Sequence, residues 1–147
     1  NNMKIKPKNT LIHKKICRFI IYGLIGWCVE VYWTGMGSLL TGDITLTGQT
    51  YLWMFPIYGL AVFLELIHNK IRDWPIILRG LLYTLLIFSI EYLTGWFLQS
   101  TIGLCPWDYS DTRFSLNGFI RLDYAPAWFT AGILFEMLHD LLEIKLN

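Results

Sequence analysis

The chain has 147 residues, of which 54% are hydrophobic and 16% charged. Soluble domains carry about 25% charged residues, so this composition argues against a soluble globular protein. The net charge of +1 is uninformative by itself, and the charge distribution indicates no basic face for nucleic acid. The three cysteines suggest no paired disulfide framework.

Four apolar runs come close to the length that a membrane-spanning helix needs, which is about 20 residues. In chain order they are residues 16–40, 51–67, 76–98 and 124–142. The sequence therefore predicts an all-α, polytopic membrane protein with four transmembrane helices. Residues 1–15 are predicted to form a basic cytoplasmic tail, and residues 16–147 a single membrane domain.

The basic residues predict the orientation, because cytoplasmic segments of membrane proteins are enriched in Lys and Arg. Ten of the 12 basic residues precede or begin the first run, surround the second loop or follow the fourth run. These ten are Lys4, Lys6, Lys8, Lys14, Lys15, Arg18, Lys70, Arg72, Arg79 and Lys145. Both termini are therefore predicted to be cytoplasmic.

The first and third runs carry the same rare residues in the same order. The pairs, each 61 positions apart, are Arg18 and Arg79, Tyr22 and Tyr83, and Glu30 and Glu91. "ELIH" at residues 65–68 and "EMLH" at 136–139 match at a similar separation. The pattern predicts a duplicated two-helix hairpin, with repeats at about residues 16–70 and 77–142, in a parallel 2+2 arrangement. Alternatively, the duplication serves only to build a self-complementary bundle.

Glu30 and Glu91 are acidic residues in the middle of apolar runs. Each follows the arginine of its repeat by 12 residues, which is about 18 Å of helix and close to the midplane of a bilayer core about 30 Å thick. Intramembrane ionisable residues are costly and face protein or water. We interpret the pair as lining a cavity for a cation, a proton or a polar ligand. The alternative is a pair of protonated, purely structural glutamates.

The arginines and tyrosines of the repeat lie nearer the cytoplasmic boundary. Arg18 and Arg79 are interpreted as interfacial anchors, with a cytoplasmic gate or anion contact as the alternative. Tyr22 and Tyr83 lie one turn deeper and join the two glutamates as candidate ligand- or ion-binding residues.

Each repeat also contains a Glu-x-x-His motif. Together with one further Glu per repeat, this inventory is that of a dimetal carboxylate bundle. Glu65, however, lies five residues from Lys70, about 7.5 Å of helix, so it should not reach the depth of Glu30. It is therefore favoured over metal binding that these motif residues and Asp140 face cytoplasmic headgroups or pair with basic residues. The basic residues considered are Arg18, Arg79, Lys70 and Lys145. The low-ranked metal candidates are Glu65, His68, Glu136 and His139.

The third loop, "CPWDYSDTRFSLNGFIRLDYAPAW" at residues 105–128, is the longest. Its aromatic residues suit a membrane interface. Asp108 and Arg113 could order it as a folded cap, and a hydrated loop is the alternative.

Several short motifs resemble the CmpB-type ABC-transporter permease family of small bacterial membrane proteins. They are "GWCVE" at 26–30, "FPIYG" at 55–59, "EYLTGWFLQ" at 91–99, "WDYS" at 107–110 and "LNG" at 116–118. We call the third loop, residues 105–128, the outer loop. Its motif residues are Trp107, Asp108, Tyr109, Ser110 and Asn117. Relatives tend to have Asn at the position of Ser115 and "CL" where this chain has "FIRL" at 119–122.

The resemblance implies a multi-pass protein of the bacterial inner membrane with a transport function. The chain contains no phosphate-binding loop, so any ATPase is expected to be a separate subunit. The other expected partners are the lipid bilayer, further membrane subunits and further copies of the chain, which could complete the wall of a substrate path. No cofactor and no nucleic acid are predicted.

Three functions follow from these features. The first is a permease-like or channel-like transport component whose cavity is lined by Glu30 and Glu91. The second is a structural or regulatory partner subunit without transport activity. The third, least favoured, is an intramembrane dimetal enzyme that uses the Glu-x-x-His motifs. No residue is assigned as catalytic.

Overall fold

The computed structural model describes residues 8–146, and side chains from residue 12 to residue 145. Residues 1–7 of the predicted basic tail, including Lys4 and Lys6, lie outside the described residues, and residues 8–15 form the start of the first helix. The fold is mostly helical, as predicted. The helices are α1 (Lys8–Leu40), α2 (Met54–Gly59), α3 (Leu64–Ile71), α4 (Ile76–Ile102) and α5 (Ala125–Leu146). Two short strands, β1 (Ser115–Leu116) and β2 (Ile120–Arg121), form an antiparallel pair.

The second apolar run differs from the single helix that the sequence predicts. It is divided into α2, a 3₁₀ turn at Leu60–Phe63, and α3. Gly59 ends α2, and glycine is a poor helix former. The other three runs correspond to the continuous helices α1, α4 and α5.

Within the described residues, two helical segments are long and apolar enough to cross a membrane, Ile12–Leu40 and Ile76–Ile102. The interrupted α2–α3 segment does not qualify, and α5 contains Glu136, His139 and Asp140. Four spanning helices, the repeat and cytoplasmic termini therefore stay predictions, while two apolar helices are compatible with a membrane protein.

The described chain divides into two compact units, one ending at Leu64 and the other extending from Glu65 to Lys145. In the first unit, α1 packs on α2 through glycines. A Cβ atom at Gly26 would lie 2.3 Å from Tyr58 Cγ, and one at Gly23 would lie 2.7 Å from Phe55 Cε2. Small residues permit this close approach of two helices.

The segment between α1 and α2 folds back along α1. Thr34 Oγ1 accepts a hydrogen bond from the backbone N–H of Gln49 at 2.8 Å. Trp27 Nε1 donates to the backbone carbonyl of Tyr51 at 3.0 Å. These contacts hold the end of the loop beside the middle of α1.

In the second unit, α4 packs on α5. A Cβ at Gly80 would lie 2.2 Å from Phe129 Cε2. The first unit contains the same contact with the residue types exchanged, because a Cβ at Gly59 would lie 2.6 Å from Phe19 Cε2. Gly80 is 61 positions after Phe19, and Phe129 is 70 after Gly59. The two hairpins therefore share a Gly–Phe contact at matching positions.

The long loop after α4 has a defined structure. Gly103, in the left-handed conformation with φ 78°, ends α4. Asn117 and Gly118 have φ of 54° and 76° in the turn between β1 and β2, as expected of an Asn-Gly hairpin turn. Trp107 is 5% exposed and donates from Nε1 to the Phe119 carbonyl at 3.0 Å. Of the two predicted alternatives, a folded cap and a hydrated loop, this ordered structure corresponds to the folded one.

Candidate functional site

Glu30 is a half-buried carboxylate on α1. Its Oε2 accepts hydrogen bonds from the Thr50 hydroxyl at 2.8 Å and from the Tyr58 hydroxyl at 2.9 Å. Thr50 comes from the folded-back loop and Tyr58 from α2, so the packing of these two segments on α1 builds the site. The carboxylate and two hydroxyl groups form a compact set of oxygen atoms.

Glu91, in the matching position on α4, is 7% exposed. Its Oε1 accepts a hydrogen bond from the Tyr109 hydroxyl at 3.3 Å. One turn further along α4, a Cβ at Gly95 would lie 3.1 Å from Phe119 Cδ1. The folded outer loop therefore packs on the helix face that carries Glu91 and supplies a hydroxyl to its carboxylate.

The predicted tyrosine and arginine of the second repeat contact residues of the Glu-x-x-His motifs. Tyr83 is fully buried, and its hydroxyl lies 3.1 Å from His68 Nδ1. Arg79 Nη2 lies 3.2 Å from Glu136 Oε2. Tyr22 and Arg18 are buried. In the second unit, Tyr83 and Arg79 thus belong to the surroundings of the Glu-x-x-His residues.

The two Glu-x-x-His motifs pair with each other in the second unit. His68 Nδ1 lies 3.2 Å from Glu136 Oε1, and His139 Nδ1 lies 3.4 Å from Glu65 Oε1. The imidazole rings meet edge to face with centroids 5.1 Å apart. All four side chains are buried. We call Glu65, His68, Glu136 and His139 the crossed Glu–His cluster.

Two further charged residues complete the exposed edge of the cluster. Asp140 Oδ1 lies 3.5 Å from His68 Nε2 and forms an ion pair with Arg72. Arg72 Nη2 also lies 3.2 Å from His68 Nε2. The cluster is therefore bordered by a carboxylate and a guanidinium group that are both half exposed.

The outer-loop motif residues have mostly structural contacts. Asp108 Oδ1 accepts hydrogen bonds from the Ser110 amide at 2.9 Å and its hydroxyl at 2.6 Å, and these bonds lower the pKa of Asp108. Asn117 Nδ2 donates to the Tyr92 hydroxyl at 2.7 Å. Arg113, the expected partner of Asp108, instead lies over the ring of Phe114.

A comparison with protein families identifies the group to which this molecule belongs. The family model described as "Putative ABC-transporter type IV" matches residues 17–146. The chain belongs to this CmpB family. The match includes both units, the crossed Glu–His cluster and the outer loop. No solved structure matches the chain. Membership in the CmpB family and two apolar helices fit a membrane component that associates with other transporter subunits.

Four residues of these sites were missed by sequence reasoning. Thr50 and Tyr58, the donors to Glu30, lie 20 and 28 positions after it, and Tyr58 stands inside the family motif "FPIYG" without an assigned role. Arg72 was counted only as a topology signal. Asp140 was grouped with the Glu-x-x-His residues but not named as a metal candidate, although it directly follows His139.

Proposed function

We propose that the protein is a multi-pass membrane component of a transporter, in which Glu30 and Glu91 bind a transported cation or proton. The observation that carries this proposal is the Glu30 site, where an apolar helix holds a carboxylate against two hydroxyl groups. Oxygen ligands of this kind suit hard cations, and ionisable residues inside membranes commonly mark ion or proton pathways.

The outer surface around Glu30 supports a membrane location. Val29, Val31, Tyr32 and Trp33 are 41–70% exposed, although they surround the acidic position along α1. An apolar surface of this extent is unusual on a soluble monomer. Contact with lipid removes it from water while Glu30 stays turned toward Thr50 and Tyr58.

The proposal extends to location and partners. We place the protein in the bacterial inner membrane with both termini cytoplasmic, as a homo-oligomer that works with a separate ATPase or another membrane subunit. Family membership supports the subunit association. The exchanged Gly–Phe contact of the two hairpins supports the duplication. That the two carboxylates share one cavity stays a prediction from the sequence.

Ion flux into vesicles tests the proposal. The purified protein is reconstituted into liposomes, and proton and potassium fluxes are followed with a trapped pH dye and a potassium electrode. The variants Glu30→Gln and Glu91→Gln keep the side-chain shape and remove the charge. We expect the double variant to lose at least about 90% of the flux, as intramembrane charges in transport paths are functional. The exposed Glu143→Gln serves as the matched control.

A folded double variant with undiminished flux would contradict the assigned role of the carboxylates. Absence of flux from the native protein would favour the second candidate function, a structural or regulatory partner subunit. The ordered outer loop, with its β1–β2 pair and buried Trp107, is the observation that favours this alternative, because a fixed surface can contact another protein.

A further inference from the structure

We propose that His68, His139 and Asp140 form a binding site for one divalent first-row transition metal ion. One ligand atom from each residue lies within 4.8 Å of those of the other two. His68 lies on α3, while His139 and Asp140 are neighbours on α5. The site uses Asp140 and a mononuclear arrangement, so it differs from the dimetal centre considered from the sequence.

The crossed Glu–His cluster orients both imidazoles for metal binding. Each Nδ1 atom faces a buried carboxylate, at 3.2 Å for His68 and 3.4 Å for His139. For His68, a hydrogen bond from Nδ1–H to the carboxylate leaves Nε2, which lies 3.5 Å from Asp140 Oδ1, as the ligand atom. Metal-bound histidines almost always have such a carboxylate partner, which fixes the ring and makes it a better ligand.

The position of Arg72 identifies where a cation binds. Its guanidinium group contacts His68 Nε2, at 3.2 Å, and also Asp140 Oδ1. Both acceptors therefore face one point that a positive group already occupies. The Arg72 side chain is 54% exposed, and a long, flexible side chain with that exposure can turn into solvent when a metal ion takes its place.

Burial and charge are also suited to a metal ion. The His68 and His139 side chains are only 3% and 4% exposed, while Asp140 is 47% exposed. The histidines are thus held rigidly, and the ion enters from the side of Asp140. The negative charge of Glu136 is balanced by Arg79, whose Nη2 lies 3.2 Å from Glu136 Oε2. The carboxylate charge that a divalent ion would neutralise is therefore mainly that of Asp140.

The ligand types select the class of metal. Two imidazole nitrogens and one carboxylate oxygen suit zinc, iron and cobalt, whereas magnesium and calcium prefer oxygen ligands alone. The competing interpretation is a permanent ion-pair network in which Arg72 is the resident cation. The two interpretations predict opposite results for the removal of Arg72.

Cobalt titration of the purified, chelator-treated full chain in detergent provides the test. We expect one equivalent of Co²⁺ to bind with visible absorption bands, and Zn²⁺ to displace it. Asp140→Asn and His139→Ala should each weaken binding at least about tenfold. The matched controls are His13→Ala and Asp73→Asn, which change the same residue types at exposed positions outside the cluster. Both controls should bind like the native protein.

Arg72→Ala keeps the test decisive if a histidine variant fails to fold. Removal of the competing guanidinium should tighten Co²⁺ binding several-fold without affecting the ligand residues. The proposal is overturned if neither the native protein nor Arg72→Ala binds one equivalent of Co²⁺. It is also overturned if folded Asp140→Asn binds like the native protein, or if His13→Ala abolishes binding. These readouts are independent of flux, so they do not depend on the transport proposal.

Discussion

In the predicted repeat Glu30 and Glu91 occupy matching positions, yet their carboxylates are held in different ways. Glu30 is half-buried and accepts two hydrogen bonds below 3 Å from Thr50 and Tyr58. Glu91 is more deeply buried, at 7% exposure, and Tyr109 reaches it at 3.3 Å. The helices supply equivalent acids, and the segments that follow them supply different partners.

For the predicted duplication, this difference indicates which parts of the two hairpins diverge. Each carboxylate follows the arginine of its helix by 12 residues. The donors come from the chain that follows each helix, which is the folded-back loop and α2 in the first unit and an ordered loop with a strand pair in the second. We infer that Glu30 has the more fixed environment, while the environment of Glu91 depends on the outer loop.

The largest expected effect comes from breaking the helix contact beneath Glu30. Gly26→Ala places a methyl group where Tyr58 Cγ would be only 2.3 Å away, so the ring that donates to Glu30 must move. Overpacking of this kind typically costs about 1–3 kcal/mol. Unfolding in mixed detergent micelles measures the loss.

The control for this change is Gly37→Ala on the same helix. A Cβ at Gly37 meets nothing within 4 Å. The free energy of unfolding of the Gly37→Ala variant should therefore be unchanged or slightly raised. Equal losses in the two variants would show that the close approach of α1 and α2 is not what positions Tyr58.

A smaller effect separates the two carboxylates directly. Tyr58→Phe removes a 2.9 Å hydrogen bond to Glu30 and should cost about 1 kcal/mol. Tyr109→Phe removes a 3.3 Å bond to Glu91 and should cost less, because longer hydrogen bonds are weaker. Both losses are measured as free energies of unfolding in the same detergent.

The comparison of Glu30 with Glu91 fails if Tyr109→Phe is the more damaging of these two changes. Tyr109 would then be the principal support of its carboxylate despite the longer distance.

The smallest effect concerns acid pH and the first loop. Hydrogen bonds from the side chains of Thr45 and Thr47 lower the pKa of Asp43 to about 2. Because the pKa of Asp43 is lower in the folded loop, its ionised carboxylate stabilises the loop at pH values above its ordinary pKa, near 4. This stabilisation is lost as the pH falls toward about 2. Amide exchange at Thr45 should therefore accelerate over that window.

Asp43→Asn is the control, since an amide keeps the shape but does not titrate in this range. Its exchange rate at Thr45, corrected for intrinsic pH dependence, should stay flat between pH 4 and pH 2. A similar acceleration in this variant would exclude Asp43 as the cause.

The long helices and their order could be predicted, because long apolar segments are typical of helices that can cross a membrane. The break at Leu60–Phe63 could not, since an apolar run gives no sign of a change from α to 3₁₀ geometry. The Asn-Gly dipeptide at residues 117–118 is typical of a hairpin turn, so this turn could have been predicted from the sequence.

The site residues divide in the same way. Glu30 and Glu91 are conspicuous because charge is rare in apolar helix. The pairing of His68 with Glu136 spans 68 positions, and no local pattern specifies such a contact. Depth reasoning placed the Glu-x-x-His residues near the headgroups or beside basic residues. In the structure they are buried, and one of the expected basic partners, Arg79, contacts Glu136.

The side of the membrane on which the outer loop lies tests the four-helix topology most directly. A cysteine introduced as Asp111→Cys, with Cys17, Cys28 and Cys105 replaced by serine, provides one labelling site in an exposed part of the loop. If all four predicted helices cross the bilayer, an impermeant maleimide labels this site in intact cells. If only α1 and α4 cross, the loop is cytoplasmic, and labelling that requires permeabilised cells would contradict the duplicated four-helix arrangement and the matching depths of Glu30 and Glu91.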